Sequence, residues 1–117
     1  MEDQFDYIIV GAGSAGCALA GRLSENGQHR VLLLEAGGDD RRFWVQVPIG
    51  YGKSFYDPSV NWMYMTEPVP TAGGRPSYWP RGKVLGGSSS INAMVYVRGQ
   101  AGDFNDWRDA GNPGWGW

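Results

Sequence analysis

Short apolar runs and one stretch of helical period alternate near the start of the chain. Residues 7–10 (Tyr-Ile-Ile-Val) are almost continuously apolar, which is typical of a strand buried on both faces of a parallel sheet. Between Ser14 and Asn26, small and apolar residues recur at helical spacing, at Gly16, Ala20 and Leu23. That period predicts one helix face laid against a sheet. Because residues 31–34 form a second apolar run, the pattern predicts a β-α-β unit with parallel strands.

The middle of the chain has no sustained period. Prolines recur between residues 43 and 80 and exclude long helices, yet the segment carries large rings at Phe43, Trp44, Tyr51, Phe55, Tyr56, Trp62, Tyr64, Tyr78 and Trp79. We therefore expect a long loop that wraps on the molecule and buries these rings. Within it, residues 61–66 alternate and predict a strand. Further on, residues 103–110 predict a short helix closed by Gly-Asn-Pro-Gly at 111–114.

Composition narrows the class of protein. The chain has 117 residues, a formal net charge of −2 and 42% hydrophobic residues, which favours a soluble, core-forming domain over a basic nucleic-acid binder or a disordered tail. No apolar run approaches the roughly 20 residues that cross a bilayer, and the acidic amino terminus does not resemble a secretory signal. We therefore expect a cytoplasmic protein, with peripheral membrane association left open. The spacing of His, Cys, Asp and Glu predicts no metal site.

Three glycines lie between the first strand and the helix at the spacing G-x-G-x-x-G. In this motif Gly11 turns the backbone tightly out of the strand, Gly13 lets a pyrophosphate approach the main chain, and Gly16 lets the helix pack closely on the strand. The first N–H groups of the helix and the positive end of its dipole then face the phosphates. In this context the three glycines predict a dinucleotide-binding site.

Glu35 stands at the carboxyl end of the second strand, 19 residues beyond Gly16. A carboxylate at that place accepts hydrogen bonds from the hydroxyls of an adenosine ribose. Because it would repel a phosphate on the ribose, a cofactor of the NADP type is disfavoured. The alternative is a strand that ends in a solvated glutamate, and the spacing does not distinguish NAD from FAD.

A second glycine-rich stretch follows the aromatic segment. Gly86 and Gly87 precede three serines, and these bare N–H groups and short hydroxyls predict a helix N-cap and a second anion cradle. A serine-capped helix with ordinary tight packing explains the same residues equally well. If both stretches bind phosphate, they touch one long cofactor at its two ends. Trp62 is predicted to line a cofactor or substrate cavity, the alternative being a core position.

The chain resembles a known family in several places. The first signature of the glucose-methanol-choline (GMC) oxidoreductases is similar to residues 82–92 (Gly-Lys-Val-Leu-Gly-Gly-Ser-Ser-Ser-Ile-Asn), continued through Tyr96, Gly99 and Asn105. Other stretches resemble the same family, nearest to its choline dehydrogenase-like members: the unit at 6–35, Glu35-Ala36-Gly37, and Asn61-Trp62 with Thr66-Glu67-Pro68. The resemblance implies an α/β fold, the N-terminal part of a Rossmann-like FAD-binding domain with a β-α-β unit, a long aromatic loop and a Gly-Gly-Ser helix.

The resemblance implies FAD as the cofactor. It assigns the pyrophosphate to the first glycine loop, at Gly11, Gly13, Ser14, Ala15 and Gly16. It assigns the ribose to Glu35, with Ala36 beside it, and the adenine side to the backbone of Val84. It assigns the flavin end to Gly86, Gly87, Asn92, Ala93, Met94 and Val95. Some members attach FAD through a histidine at the position of Ile91, and because isoleucine does not form that bond, we expect non-covalent FAD.

The resemblance also implies the oxidation of a primary alcohol, in which a histidine accepts the hydroxyl proton while hydride passes to flavin N5. That base must lie within hydrogen-bond reach of the substrate. His29 precedes the second strand and so lies at the amino end of the sheet, roughly 20 Å from the carboxyl ends where such folds bind ligands. We therefore expect no catalytic residue in this chain, and Trp62 as its candidate substrate contact. The implied partners are a small-molecule alcohol and an electron acceptor: oxygen, a quinone or another carrier.

Two strands, one helix and a long loop would leave much apolar surface uncovered. Residues 1–117 are therefore expected to form the N-terminal portion of an FAD-binding domain, with the substrate domain and the C-terminal catalytic segment outside the chain. Two other classes stay open: a stand-alone nucleotide-binding module without redox activity, and part of an NAD-dependent dehydrogenase.

Overall fold

The computed structural model describes residues 4–117. Its first unit consists of strand β1 (Tyr7–Val10), helix α1 (Ser14–Ser24) and strand β2 (Val31–Leu34). The two strands are parallel neighbours, in a register that pairs Tyr7 with Val31 and Val10 with Leu34. The predicted β-α-β unit is confirmed. Helix α1 ends at Ser24 rather than at Asn26, before a turn in which Gly27 takes a positive φ of 68°.

Only one face of β1 is covered by the described residues. Ile9 is buried on the α1 side, where its Cγ2 atom lies 3.4 Å from the place that a Cβ on Gly16 would take. Ile8 and Val10 are 61% and 84% exposed. The prediction of a strand buried on both faces is therefore wrong for this chain, because no described element covers the second face.

The aromatic segment is not a continuous loop. It folds into single turns: α2 (Phe43–Gln46), a 3-10 turn (Pro48–Gly50), α3 (Tyr51–Ser54) and a second 3-10 turn (Pro70–Ala72). Proline opens both 3-10 turns, because its fixed φ suits the first helical position. The prediction that the rings are buried is wrong for most of them, and they contact one another at the surface instead.

Residues 61–66 contain the predicted strand in a shortened form. Strand β3 (Tyr64–Met65) pairs antiparallel with β4 (Tyr78–Trp79). Met63 interrupts the alternation with a φ of 55°, and its N–H donates to Asn61 Oδ1 at 2.9 Å. An asparagine side chain that accepts a hydrogen bond from the N–H two residues later in the chain favours such a turn. The strand therefore begins only after Met63.

The buried hydrophobic cluster of the described residues contains no residue of β1 or β2. Val60, Val84 and Ile91 form it, and Val45 of α2 packs against it. Because Val84 and Ile91 flank the second glycine stretch, the cluster anchors that stretch to the aromatic segment. The predicted helix at 103–110 is present as α4 (Ala101–Asp109).

Within residues 4–117, no helix combines the length and the apolar character needed to cross a bilayer. The cytoplasmic location stays a prediction. In the same range, no group of three or more His, Cys, Asp and Glu side chains is arranged to hold a metal ion.

Candidate functional site

The first glycine loop connects the carboxyl end of β1 to α1. Gly11 leaves the strand with a φ of 97°, and its N–H donates to Leu34 O at 2.7 Å. A Cβ on Gly16 would lie only 1.9 Å from Gly11 O, so the helix packs directly on the turn. A Cβ on Gly13 would meet nothing within 4 Å, so the main chain at Gly13 borders open space. Gly11 and Gly16 therefore have the backbone roles that the spacing predicts, while the pyrophosphate contact at Gly13 stays a prediction.

The amino end of α1 is free of a side-chain cap. Gly13 is the N-cap residue, no side chain bonds to this end, and the first turn carries no acidic residue. The first helical hydrogen bond runs from the Cys17 N–H to Gly13 O at 2.9 Å, so the N–H groups of Ser14, Ala15 and Gly16 lie in the first turn, before that bond. Such a helix end, with the positive end of its dipole, attracts an anion.

The second glycine stretch docks directly on the first loop. Gly86 N–H donates to Ala12 O at 2.8 Å, and Gly86 pairs with Gly13 in a parallel bridge. Gly87 has a φ of 59°, and a Cβ on it would lie 2.9 Å from the Cα of Gly13. The two glycine stretches therefore meet at one place, while their predicted contacts with the two ends of one cofactor stay a prediction.

The predicted Gly-Gly-Ser helix is present as a single 3-10 turn (Gly87–Ser90). The turn has no side-chain cap, so the predicted serine N-cap is wrong. The hydroxyls are used within the stretch instead. Ser89 Oγ donates to Gly86 O at 2.6 Å, and Ser90 Oγ donates to Leu85 O at 2.7 Å. These bonds stabilise the turn itself.

Two clefts open beside the docked loops. The α1 cleft, of about 540 Å³, lies over the start of α1 and is lined by Gly13, Ser14, Ala15, Gly16, Ser88 and Ser89 among others. The Glu35 cleft, of about 660 Å³, is lined on its other sides by Glu35, Ala36, Trp62, Tyr64, Arg81 and Gly82. Gly11, Gly13 and Ser88 line both clefts, so the clefts meet at the first glycine loop.

Glu35 is held by the main chain. Its Oε2 atom accepts the Ala12 N–H at 2.8 Å, and its Oε1 atom accepts the Gly37 N–H at 2.9 Å. The side chain is half-buried at the wall of its cleft. The alternative of a merely solvated glutamate is therefore wrong, while the ribose contact stays a prediction.

Trp62 shares the Glu35 cleft. Its ring stacks on Tyr64, with centroids 6.0 Å apart, and the Lys83 Nζ atom lies 4.7 Å from the Trp62 ring centroid. The indole is 41% exposed, so it is not a core position. The structure thus puts Trp62 in the cleft of Glu35 and the first glycine loop, and its predicted contact with a substrate stays untested.

The remaining predicted residues fall into two groups. Val84 is fully buried, it is not among the residues that line either cleft, and its carbonyl accepts the Gly87 N–H at 2.7 Å. Its predicted main-chain contact with the adenine stays a prediction. Asn92 and Met94 line a separate cavity of about 170 Å³ with Trp44 and Tyr51. Ala93 and Val95 flank Met94, and Val95 is 76% exposed.

Sequence reasoning missed several residues of the Glu35 cleft. Gly82 and Arg81 line it, and a Cβ on Gly82 would lie 2.2 Å from the main chain of Gly87. Tyr64 lines it as well, and its place in the alternating 61–66 stretch next to Trp62 was the available signal. The signal for Gly82 was its position four residues before the Gly86-Gly87 pair.

The site has three features of a nucleotide-binding site in the first part of a Rossmann-like fold. The helix end has no side-chain cap, the loops beside it are rich in glycine, and a carboxylate stands at the end of the neighbouring strand. The profile of the GMC oxidoreductase family matches residues 5–117. The chain belongs to this family, which confirms the resemblance seen in the sequence.

Individual relatives agree with the family. The chain is 54% identical to the oxygen-dependent choline dehydrogenase of Vibrio vulnificus over 115 residues, which are 98% of this chain and 20% of that protein. Among solved structures, pyridoxine 4-oxidase from Mesorbium loti matches with a TM-score of 0.77 and 43% identity, over 97% of this chain and 22% of that one. An FAD-dependent oxidoreductase from Chaetomium thermophilum matches with a TM-score of 0.69 and 37% identity, over 97% and 19%. The chain thus spans about a fifth of the length of these relatives.

Proposed function

We propose that this chain binds FAD, as the N-terminal portion of a flavin-dependent oxidoreductase that oxidises a primary alcohol. The observation that carries the proposal is the docking of the second glycine stretch on the first loop, beside an uncapped helix end. Family membership supports the proposal, because related proteins are named as an FAD-dependent oxidoreductase and as enzymes acting on choline and pyridoxine, which are primary alcohols.

The residues present fit a dinucleotide. The first turn of α1 and the open main chain at Gly13 suit a pyrophosphate, with Gly11, Ser14, Ala15 and Gly16 around them. Glu35, with Ala36 beside it, would hold the ribose, and the main chain of Val84 would border the adenine. The flavin end would follow the second stretch, along Gly86, Gly87, Asn92, Ala93, Met94 and Val95.

The chain's own residues bind and orient rather than catalyse. FAD, when bound, supplies the hydride acceptor at its N5 atom. His29 packs edge-on against Tyr7, with ring centroids 5.2 Å apart, at the start of the strand pair and away from the glycine loops. It is therefore not the base that accepts the hydroxyl proton. We propose that this base, the substrate domain and the rest of the sheet lie in the remaining four fifths of a protein as long as its relatives.

Exposed apolar side chains support that division. Ile8 and Val10 of β1 are largely exposed, as are Val95, Tyr96 and Val97 after the second glycine stretch. A domain that ended here would leave these side chains in water, at a cost that burial normally removes. Residues 1–117 then form one portion of an FAD-binding domain rather than a stand-alone module.

A cofactor titration of the protein in its natural length tests the proposal. FAD should bind with a yellow flavin spectrum and quenched flavin fluorescence, whereas NAD should not compete with it. Binding of NAD in place of FAD would contradict the proposal and favour a nicotinamide-dependent dehydrogenase. FAD binding without oxidation of any primary alcohol would favour a nucleotide-binding module without redox activity.

Denaturation tests whether the flavin is non-covalent. Ile91 is 3% exposed, lies in the buried cluster and has no atom that bonds to a flavin. Precipitation with acid should therefore leave all of the yellow colour in the supernatant. Flavin that stays with the precipitated polypeptide would contradict this part of the proposal.

A further inference from the structure

A carboxylate bridges each end of the β1–β2 pair. At the amino end, Asp6 Oδ2 accepts the Arg30 N–H at 2.7 Å. At the carboxyl end, Glu35 Oε2 accepts the Ala12 N–H at 2.8 Å. The two bonds have the same chemistry and span nearly the same number of residues, but only the second reaches a glycine loop.

Ala12 is the residue through which the carboxyl-end bridge reaches both loops. It is completely buried, so its N–H has no access to water and requires a partner inside the protein. Glu35 supplies that partner, while the Ala12 carbonyl accepts the Gly86 N–H at 2.8 Å. One residue thus links the carboxylate on one side to the second glycine stretch on the other.

The second oxygen of Glu35 reaches the same stretch by another route. Oε1 accepts the Gly37 N–H at 2.9 Å. Gly37 is pressed against the main chain of Lys83, since a Cβ on it would lie 1.9 Å from Lys83 O, and the Gly38 carbonyl accepts the Leu85 N–H at 2.9 Å. Glu35 therefore ties together the first loop, the end of β2 and the segment that leads into the second loop.

We infer that Glu35 is a positioning residue, which fixes the two glycine loops in their docked arrangement before any nucleotide binds. An ionised carboxylate offers about four acceptor sites, and the two N–H groups take two of them. The other two stay available for the ribose hydroxyls, so positioning and ribose binding are compatible. The ribose part rests on the proposed function, whereas the positioning part does not involve FAD.

A glutamine at this position would not replace the carboxylate. Its amide has one acceptor oxygen and one donor NH2, so either the Ala12 N–H or the Gly37 N–H would face a donor. The first loop should then open more often, and with it the Gly86 N–H that depends on Ala12. Aspartate keeps the charge but is one methylene shorter, so it should reach only one of the two N–H groups.

Hydrogen exchange of the FAD-free protein in its natural length tests the inference. In Glu35→Gln, the amides of Ala12 and Gly86 should exchange at least about tenfold faster than in the native protein, and Glu35→Asp should give an intermediate rate. Asp6→Asn is the matched control. Its amide oxygen can still accept the single Arg30 N–H, so exchange at Arg30, Ala12 and Gly86 should stay at the native rates.

The outcomes separate the inference from the proposed function. Native exchange rates at Ala12 and Gly86 in both Glu35 variants, with weakened FAD binding, would make Glu35 a ribose ligand alone and overturn the inference. Faster exchange at all amides in both variants would mean general destabilisation and would overturn it as well. Faster exchange that is confined to the loops of the Glu35 variants would support the inference. If the native protein in that case bound no FAD at all, the inference would stand and the proposed function would be contradicted.

Discussion

The docked glycine loops and the aromatic segment (residues 43–80) differ in how they are packed. At Gly16, Gly37 and Gly82 an added Cβ would lie within 2.2 Å of another part of the main chain, so the loops are held by contacts that tolerate no side chain. In the aromatic segment large rings contact one another while staying mostly exposed. The loops are therefore packed main chain against main chain, whereas most of the rings stay partly exposed.

The largest effect should come from filling a contact in the loops. In Gly16→Val the new Cβ would overlap the Gly11 carbonyl, so α1 would be forced away from β1. We expect a loss of about 3–5 kcal/mol in the free energy of unfolding, measured by urea denaturation. A loss below about 1 kcal/mol would contradict the account of this contact.

Asn61 should give the next largest effect, because it is the buried polar residue that shapes the wall of the Glu35 cleft. It is 2% exposed, its Nδ2 donates to Phe55 O at 2.9 Å, and its Oδ1 accepts the N–H groups of Met63 and Arg81, each at 2.9 Å. Asn61→Ala leaves the Met63 and Arg81 N–H groups without their acceptor, whereas Phe55 O keeps the hydrogen bond from the Tyr78 hydroxyl. The substitution should cost about 2–4 kcal/mol in thermal or chemical unfolding.

Asn92 provides the control for that substitution. It closes the same kind of turn, accepting the Met94 N–H at 2.7 Å, but it is exposed, so water replaces the lost bonds. Asn92→Ala should cost less than about 1 kcal/mol. Equal losses in the two variants would show that burial is not what makes Asn61 important.

Trp62 sharpens the comparison, because it belongs to the aromatic segment yet lines the Glu35 cleft. Trp62→Leu should weaken FAD binding about tenfold, which corresponds to about 1.4 kcal/mol, with little change in stability. Trp79→Leu is the control, since Trp79 carries a similar cation contact with Arg81 at 4.8 Å. A higher KM for the alcohol with unchanged FAD affinity in Trp62→Leu would instead support the predicted substrate contact.

The smallest expected effect is a pH dependence in the aromatic segment. Hydrogen bonds from the Ser59 hydroxyl and the Ser59 N–H lower the pKa of Asp57 below its ordinary value of 3.8, with help from the charge of Arg42. Because the folded-state pKa is lowered, Asp57 contributes stability above pH 3.8 and loses it as the pH falls through the folded-state pKa.

Thermal unfolding at several pH values checks this contribution. The native protein should have a higher Tm than Asp57→Asn near neutral pH, and the difference should shrink as the pH falls below 3.8. Ser59→Ala should give a smaller difference of the same sign, because it removes the hydroxyl donor but keeps the Ser59 N–H. A difference that stays constant down to the lowest pH would contradict the pKa argument.

The sequence predicts those features that depend on local spacing. Strands β1 and β2, helix α1 and the turn at Gly11 follow from periods and intervals within 35 residues, and they are confirmed. The docking of Gly86 on Ala12 joins residues 74 positions apart, and no local pattern carries that information.

Other features of the site depend on competition between partners. The serines after Gly87 were expected to cap a helix, but the hydroxyls of Ser89 and Ser90 donate hydrogen bonds to carbonyls of the same stretch instead. Glu35 was correctly put at the end of β2, while its two main-chain N–H partners become visible only when Ala12 and Gly37 are brought beside it. The prolines correctly excluded long helices between residues 43 and 80, but they did not predict the single helical turns that form there.

FAD binding by a pair of glycine variants tests the central claim most directly. A Cβ at Gly13 or at Gly21 would meet nothing within 4 Å, so both positions have room for a Cβ atom, but of the two only Gly13 borders the two clefts by the docked loops. Gly13→Val should fold with a stability within about 1 kcal/mol of the native protein and bind FAD about a hundredfold more weakly. Gly21→Ala should bind FAD normally and gain about 0.5–1 kcal/mol of stability. Native FAD affinity in Gly13→Val would contradict the claim that the docked glycine loops hold the nucleotide.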